Sequence, residues 1–248
     1  TRTGLSSSPR TFSPVWFYDE LGSRLFDKIT EQPEYYQTRA ERALLVQHGS
    51  QIAGLGAETL VELGSGTSDK TTALLDAMEA AGSLRSYVPF DVSEEMLRSA
   101  AGELQPRYPN VAVHGIVGDF NHHLGAVPRT GRHLVAFLGG TIGNFRPPDR
   151  ARFLFDLDCA LHHEDLVLIG IDLVKEPQRL EAAYDDAAGV TAAFNRNALA
   201  AMNASLGANF DPSAYQHVSR WNDEEQWIEM RLRAQRDQQV EIPGLELA

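Results

Sequence analysis

The amino-acid sequence predicts an α/β fold in which a doubly wound, Rossmann-like parallel sheet is joined to a second, α+β region. Three observations predict it: short apolar runs recur from residue 59 onward, helical segments separate them, and the alternation stops after residue 174. Short apolar strands that alternate with helices are typical of a parallel sheet covered on both faces. The right-handed rule for crossover connections then makes the sheet doubly wound.

The elements of the sheet follow one another in a regular order along the chain. The predicted strands span residues 60–63, 87–90, 111–117, 134–138 and 166–171, and the predicted helices span residues 69–81, 93–104 and 149–161. Before the sheet, apolar residues recur at helical spacing across 21–29, and 37–53 is predicted to be a further helix.

The last part of the chain has a different pattern. Residues 181–204 are rich in alanine, and we predict two helices that meet near Gly189. Residues 226–234 alternate between apolar and polar side chains, as a half-exposed antiparallel strand does. A second strand is predicted to begin at Val240. Because the sequence stops at Ala248 inside this alternating pattern, we expect the C-terminal end to be incomplete.

The composition argues against several classes of protein. The chain carries 22 Lys and Arg against 34 Asp and Glu, a formal net charge of −12. We therefore expect no nucleic-acid partner, because such binding needs clustered cations. No stretch approaches the roughly 18 apolar residues of a membrane span, so no membrane partner is expected. Cys159 is the single cysteine, which fits a reducing compartment and predicts a cytoplasmic location.

The glycine-rich segment after the first predicted strand is the strongest chemical signal. Residues 61–68 read VELGSGTS, in which Gly64 and Gly66 allow a tight turn and a close approach of the backbone to a ligand. Ser68 is placed to cap the helix that follows. Open α/β sheets bind their cofactor at this position.

Two acidic residues indicate which cofactor suits this loop. A dinucleotide fingerprint requires glycine where Asp69 stands, and a carboxylate there would repel a pyrophosphate. A P-loop would need glycine before Lys70. With Glu62 as a second acid in the loop, the segment favours a cationic ligand without phosphate. S-adenosylmethionine, which carries a sulfonium and an ammonium group, is such a ligand.

Three further strand ends carry residues that suit the same cofactor. Asp91, at the end of the second strand, is placed to accept hydrogen bonds from both ribose hydroxyls. Asp119 and Phe120, after the third strand, suit the amino group and the ring face of adenine. Residues 137–145, at the end of the fourth strand, read FLGGTIGNF and add another glycine-rich tip. Four successive strand ends of this kind favour a class I methyltransferase.

Five segments, in order along nearly the whole chain, carry a resemblance to a known family. They are residues 16–19 (WFYD), 33–36 (PEYY), 62–70 (ELGSGTSDK), 138–144 (LGGTIGN) and 184–195 (YDDAAGVTAAFN). The sequence resembles the histidine Nα-methyltransferases of ergothioneine biosynthesis. The resemblance implies a class I methyltransferase sheet with a second, α+β substrate-binding domain. The implied domains are residues 1–40 and 175–248 for the substrate and residues 41–174 for S-adenosylmethionine.

The resemblance also implies which residues act. Those that contact the cofactor are Gly64, Lys70, Asp91, Asp119 and Phe120, and those that contact the amino and carboxylate groups of the substrate are Tyr18, Tyr35, Gly139, Asn144 and Tyr184. Tyr18 and Asn144 are the implied catalytic residues. The residues that grip the imidazole ring are implied to lie beyond Ala248.

The implied activity is the transfer of three methyl groups from S-adenosylmethionine to the α-amino group of L-histidine, which yields hercynine and S-adenosylhomocysteine. The implied partners are L-histidine and its methylated intermediates, and we expect a monomer. Each attack needs a neutral, aligned amine. Because a phenol has a pKa of about 10, we expect Tyr18 to orient the amine while water takes its proton.

Several alternatives stay open at the level of the sequence. The chain could be a methyltransferase for another small amine or amino acid, or a ligand-binding module without activity. A third alternative is a NAD-dependent dehydrogenase on the same fold, against which Asp69 weighs. No metal is expected, because adjacent histidines such as His122 and His123 point in different directions on one element.

Overall fold

The computed structural model describes residues 1–66 and 70–247. The chain divides into two compact units: Gln37–Asp172, called here the sheet unit, and Thr1–Tyr36 with Leu173–Ala248, called the terminal unit. The predicted cap Ser68 and the predicted loop acid Asp69 lie outside the described residues. Within the described part of the chain, no helix is both long enough and apolar enough to cross a membrane.

The helices and strands have the following bounds in chain order. The helices are α1 (Arg2–Leu5), α2 (Glu20–Thr30), α3 (Gln37–Ala53), α4 (Thr72–Ala80), α5 (Glu94–Arg107), α6 (Phe120–His123), α7 (Pro147–Ala160), α8 (Pro177–Ala183) and α9 (Val190–Leu206). The strands are β1 (Thr59–Leu63), β2 (Ser86–Asp91), β3 (Ala112–Val113), β4 (Ile116–Val117), β5 (His133–Phe137), β6 (Leu166–Ile169), β7 (Tyr215–Asn222) and β8 (Trp227–Ala234).

The sheet unit contains a parallel sheet with the strand order β3–β2–β1–β5–β6. The short strands β3 and β4 pair with successive parts of β2. The central strand β1 runs parallel to β2 on one side and to β5 on the other, with Val61 opposite both Val88 and Val135. The order therefore reverses at β1, and ligands of open α/β sheets bind at such a switch point. The predicted α/β class and parallel sheet are confirmed.

Both faces of the central strands β1, β2 and β5 are buried, which explains why these strands are largely apolar. On one face, Leu60 and Tyr87 pack with residues of α3, α4 and α5. On the opposite face, Val61 and Phe90 pack with Phe153 of α7. Every residue of β1 and β5 is buried. The helices cover the two faces of the sheet and leave the carboxyl ends of its strands uncovered.

Several predicted elements of the sheet unit are wrong in extent. The strand predicted at 111–117 is the two short strands β3 and β4, which His114 and Gly115 separate, and the strand predicted at 166–171 ends at Ile169. The helix predicted to start at residue 69 begins at Thr72. Its first turn lacks a side-chain cap, because the hydroxyl of the preceding Thr71 donates to Glu62.

The terminal unit joins the two ends of the chain. Phe17 and Ile29 from the first segment pack against Phe194 and Ala198 of α9. The two helices predicted within residues 181–204 are confirmed as α8 and α9, but α8 ends at Ala183 and does not reach Gly189. Gly189 precedes α9 with a φ of +73° that favours glycine.

The hairpin of the terminal unit was predicted only in part. The strand predicted from its alternating pattern is confirmed as β8, and it pairs antiparallel with β7, which the sequence did not predict. The strand predicted to begin at Val240 is wrong. That segment contains a single bridge between Ile242 and Leu247 around a tight turn at Pro243–Leu245, because the proline allows no ladder bond and the turn reverses the chain.

Candidate functional site

The loop after β1 holds its glycines where the sequence places them. Gly64 and Gly66 have φ values of +72° and +50°, which residues with a side chain rarely adopt. The amide of Gly64 donates to the carbonyl of Phe90 at 2.7 Å. The amide of Gly66 donates to Oδ2 of Asp91 at 2.9 Å. Gly64 and Gly66 are therefore fastened to the tip of β2, and no atom of the described residues lies within 4 Å of a Cβ built on Gly66.

Asp91 is held by backbone amides on both of its carboxylate oxygens. Besides the bond from Gly66, its Oδ1 accepts from the amide of Ser93 at 3.0 Å. A carboxylate has about four acceptor positions, so these two bonds orient the group and leave it able to accept more. The predicted pairing with two ribose hydroxyls needs an acceptor of this kind.

The tip after β4 lies beside the glycine loop. Asp119 caps α6 by accepting from the amide of Asn121 at 2.9 Å. Phe120 packs edge-on against Phe137, with ring centroids 5.3 Å apart, and stays partly exposed. A Cβ built on Gly64 would lie 3.7 Å from the Phe120 ring. The structure thus brings three of the predicted cofactor tips together at one edge of the sheet.

Glu41, a residue that the sequence did not single out, joins the remaining tips. Its carboxylate accepts from Nζ of Lys70 at 2.7 Å and from the amide of Gly139 at 2.8 and 3.0 Å. It also lies directly against Gly170, where any side chain would overlap it. The amide of Gly139, a predicted substrate contact, therefore already has a partner in Glu41. No sequence signal marked Glu41, because α3 has weak apolar periodicity and its charged residues resemble a solvated helix face.

Glu62 does not act as the loop acid that the sequence predicted. It lies within β1 and is buried, 4% exposed. Its carboxylate accepts from the hydroxyls of Thr71 and Tyr87. Burial raises the pKa of Glu62 from 4.5 to about 7, although the two hydrogen bonds and the nearby Lys70 act in the opposite direction. Side chains alternate between the two faces of a strand, and this alternation points Glu62 into the interior. Its carboxyl group is therefore not available as a charge for a ligand.

Asn144 ends a short 3-10 turn, Thr141–Asn144, that follows β5. Gly140 precedes this turn with a φ of +68°. Asn144 is exposed. Its role and the role of each other predicted site residue stay predictions.

The three tyrosines predicted to bind the substrate belong to one aromatic cluster in the terminal unit. The rings of Tyr35 and Tyr184 meet edge-on at 5.9 Å. Tyr18 meets Phe26 and Phe194 edge-on, each at 5.8 Å. Phe26 also contacts Tyr35, at 6.2 Å, and so joins the tyrosines. Segments of the chain that are far apart in sequence thus bring their aromatic side chains to one place.

A buried polar pair supports the backbone of Tyr184. Nε2 of His217 lies 2.8 Å from the carbonyl of Tyr184, and Nδ1 lies 2.8 Å from the side-chain amide of Asn195. The same amide nitrogen of Asn195 donates to the carbonyl of Arg231, so it acts as the donor toward His217 as well. His217 is therefore assigned as the neutral tautomer that carries its proton on Nε2.

Metal ligands are not grouped in the part of the chain that the structure describes. Among residues 1–66 and 70–247, no three side chains of His, Cys, Asp or Glu are placed to hold one ion. Nδ1 of His123 faces the carbonyl of Asp119 at 3.0 Å, which is a local contact at the end of α6.

The comparison with protein families matches the whole chain. The family described as histidine-specific, SAM-dependent methyltransferases matches residues 1–248. The chain belongs to this family. The resemblance found in the motifs is confirmed, and so are a methyltransferase activity and S-adenosylmethionine as its cofactor. Membership in the family also decides against the NAD-dependent dehydrogenase and against a module without activity.

Three relatives are similar to this chain over 80% to 99% of its length. The histidine N-alpha-methyltransferase of Mycolicibacterium smegmatis is 53% identical over 247 residues, which cover 99% of this chain and 77% of that protein. The histidine N-alpha-methyltransferase of Mycobacterium tuberculosis is 51% identical, with coverage of 99% and 77%. The ergothioneine biosynthesis protein 1 of Neurospora crassa is 34% identical over 80% of this chain and 23% of that protein.

The donor set of the sheet edge fits the cofactor of this methyltransferase family. Asp91 offers an oriented carboxylate for hydroxyl groups, and Phe120 offers a partly exposed ring. Gly64 and Gly66 let the backbone approach without side chains. Lys70 brings a cation.

Proposed function

We propose that this protein transfers three methyl groups, one after another, from S-adenosylmethionine to the α-amino group of L-histidine, giving hercynine in ergothioneine biosynthesis. The observation that carries the proposal is the match of the histidine-specific methyltransferase family to residues 1–248, which include both the sheet edge and the tyrosine cluster. The names of the bacterial and fungal relatives support the α-nitrogen as acceptor and ergothioneine as the pathway.

The reaction asks for positioning more than for covalent help from the protein. When bound, S-adenosylmethionine would supply a methyl group on a positively charged sulfur, and the sulfur is the leaving group when an amine takes the methyl carbon in line. The residues proposed to hold the cofactor are Gly64, Lys70, Asp91, Asp119 and Phe120. Because alignment of the reacting atoms can supply several kcal/mol of a barrier, on the order of 7 to 11 in model reactions, we assign the rate enhancement mainly to orientation.

The substrate residues act on the amino and carboxylate groups of the amino acid. Tyr18 is proposed to orient the amine, while water takes its proton, because a phenol with a pKa of about 10 is a weak base. Asn144 has one acceptor and two donors and can bind both groups. Tyr35 and Tyr184 donate to the carboxylate, and their ring faces tolerate the bulky quaternary ammonium of the product.

The proposal includes the setting in which the enzyme works. We propose a cytoplasmic monomer that acts on small molecules and binds no nucleic acid. The net charge of −12 and the single cysteine support this setting. Size-exclusion chromatography with light scattering tests the monomer, and a stable dimer would contradict it.

The test of the proposed function is a titration followed by identification of the product. Isothermal titration calorimetry first measures binding of S-adenosylhomocysteine and then binding of L-histidine in its presence. Mass spectrometry follows the stepwise gain of methyl groups, and NMR locates them on the α-nitrogen. L-Tryptophan and L-tyrosine serve as control amines.

We expect cofactor binding, then histidine binding, then one, two and three methyl groups on the same nitrogen. If S-adenosylhomocysteine binds and a control amine is methylated faster than histidine, the acceptor is another amino acid. A folded protein that binds no S-adenosylhomocysteine would overturn the proposed function.

A further inference from the structure

The charge pair formed by Glu41 and Lys70 has unused binding capacity. The side chain of Glu41 is 15% exposed and that of Lys70 is 24% exposed, with 2.7 Å between Oε2 and Nζ. An ammonium group has three donors and a carboxylate has about four acceptor positions. Within residues 1–66 and 70–247, the contacts described above use part of each, so each group can form further hydrogen bonds to a ligand.

The pair is built rigidly into the sheet unit. The amide of Gly139, just after β5, donates to both oxygens of Glu41. Gly170, just after β6, lies against the same carboxylate, and its amide donates to the carbonyl of Phe137 at 2.9 Å. Glu41 is thus fixed by the tips of two neighbouring strands, although it comes from a helix. A surface ion pair is not held in this way.

The position of the pair relates it to the cofactor edge. Lys70 follows the glycine loop in sequence, and its Nζ lies 3.1 Å from a Cβ built on Gly139. Lys70 is also close enough to the buried Glu62 to lower the pKa of that carboxyl. The pair therefore lies at the tips of β1, β5 and β6, beside the switch point of the sheet, where a cofactor binds.

We propose that Glu41 and Lys70 together recognise the zwitterionic amino-acid end of the cofactor. Lys70 donates to the carboxylate of the ligand, and Glu41 accepts from its ammonium. A side-by-side anion and cation match such an end in charge, and hydrogen bonds between charged groups are the strong ones. The new element is Glu41, and this inference rests on the proposed function, since it assumes S-adenosylmethionine as the ligand.

The test compares two ligands that differ only at the amino-acid end. S-Adenosylhomocysteine carries the ammonium and the carboxylate, whereas 5′-methylthioadenosine has the same adenosine and thioether without them. Glu41→Gln keeps an acceptor for the amide of Gly139 and removes the charge. We expect it to weaken S-adenosylhomocysteine about tenfold or more, the worth of one charged hydrogen bond, and to leave methylthioadenosine binding unchanged.

Two controls separate recognition from a structural role. Glu94→Gln removes an exposed carboxylate that pairs with Arg98 in the same unit, and it should change neither affinity. Gly170→Ala pushes the Glu41 carboxylate from its place without altering any charge, so it should also weaken S-adenosylhomocysteine selectively. Gly102→Ala is its matched control, because no atom in the described part of the chain lies within 4 Å of a Cβ at that position.

Each outcome decides the matter. Equal weakening of both ligands by Glu41→Gln would show a general structural role and overturn the inference, as would no change in either. If Glu41→Gln fails to fold, the selectivity measured with Gly170→Ala decides instead. The wild-type protein could bind both ligands while Glu41→Gln, like Glu94→Gln, changes neither affinity. That result would refute this inference and leave the proposed function standing. Wild-type protein that binds neither ligand refutes the proposed function.

Discussion

The sheet unit and the terminal unit hold their predicted functional side chains by different means. In the sheet unit, hydrogen bonds fix charged groups: Asp91 accepts from two backbone amides, and Glu41 accepts from Gly139 and Lys70. In the terminal unit, ring contacts fix tyrosines, as between Tyr35 and Tyr184. Hydrogen bonds set the position of one atom, whereas ring packing sets a plane and excludes water. The first suits a charged cofactor and the second suits an amine that must be neutral.

The same contrast occurs in how each unit buries polar groups. The sheet unit buries an ionisable carboxyl, Glu62, against two hydroxyls, and burial raises its pKa to about 7. The terminal unit buries His217 with Asn195, and hydrogen bonds at both ring nitrogens select one neutral tautomer. The carboxyl group of Glu62 changes charge near neutral pH. The pair of His217 and Asn195 depends instead on a fixed pattern of hydrogen-bond donors and acceptors.

The largest effect that we expect concerns Glu62. Its pKa is raised from 4.5 to about 7 on folding, so its stabilising effect is complete below pH 4.5 and is lost as pH rises through about 7. Glu62→Gln stays neutral. The free energy of unfolding of the variant, relative to wild type, should therefore increase on the order of 3 kcal/mol between pH 4.5 and 8.

Urea unfolding at several pH values measures this difference. Glu94→Gln, at an exposed position of the same unit, should keep the wild-type pH dependence. Parallel pH profiles for wild type and Glu62→Gln would show that Glu62 keeps an ordinary pKa.

The next effect concerns the carboxylate of Asp91, which hydrogen bonds hold in place in the sheet unit. Asp91→Asn keeps the size of the side chain and removes the charge that is proposed to bind two hydroxyls. We expect binding of S-adenosylhomocysteine to weaken about 100-fold, since hydrogen bonds to charged groups contribute roughly 1.5 to 3 kcal/mol. Calorimetry measures the dissociation constant. Unchanged affinity would remove Asp91 from the cofactor site.

A smaller effect tests the buried polar pair of the terminal unit. Asn195→Ala leaves Nδ1 of His217 and the carbonyl of Arg231 without the amide that donates to them. The free energy of unfolding should fall by about 2 kcal/mol, from unsatisfied polar groups and a small cavity. Urea unfolding measures it, and the same change at the exposed Asn110 should have little effect. A loss no larger than that of the control would contradict the assigned network.

The smallest effect concerns a single hydroxyl. Tyr184→Phe keeps the ring that packs on Tyr35 and removes the proposed donor to the substrate carboxylate. The KM for L-histidine should rise about tenfold, the worth of one such hydrogen bond, while S-adenosylhomocysteine binds as before. Tyr215→Phe, in the other apolar cluster of the terminal unit, is the control. If both variants have the wild-type KM, Tyr184 does not bind the substrate through its hydroxyl.

Local patterns were sufficient for most of the sheet unit. The apolar runs predicted β1, β2 and β5, because strands buried on both faces must be apolar throughout. The helix at 37–53 was predicted with its observed bounds. Turn glycines and strand-end acids predicted the tips, since they follow their strands directly in sequence. Motif resemblance pointed to the tyrosines, which composition alone would have assigned to a core.

Other features depend on contacts between distant parts of the chain. Strand β7 has few apolar residues, and it forms its ladder of backbone hydrogen bonds with β8. The interior orientation of Glu62 depends on which face of β1 meets Thr71 and Tyr87. Glu41 resembles any charged residue of an exposed helix until Lys70 and Gly139 approach it.

By itself, therefore, the sequence determined the α/β class, the order of the sheet elements, the glycine loop and the family, because each of these is written in neighbouring residues. Only the tertiary structure decided that Glu62 is buried, that Glu41 joins the strand tips, and that Tyr18, Tyr35 and Tyr184 share one cluster. The physical reason is that burial and charge pairing arise when segments far apart in sequence exclude water together.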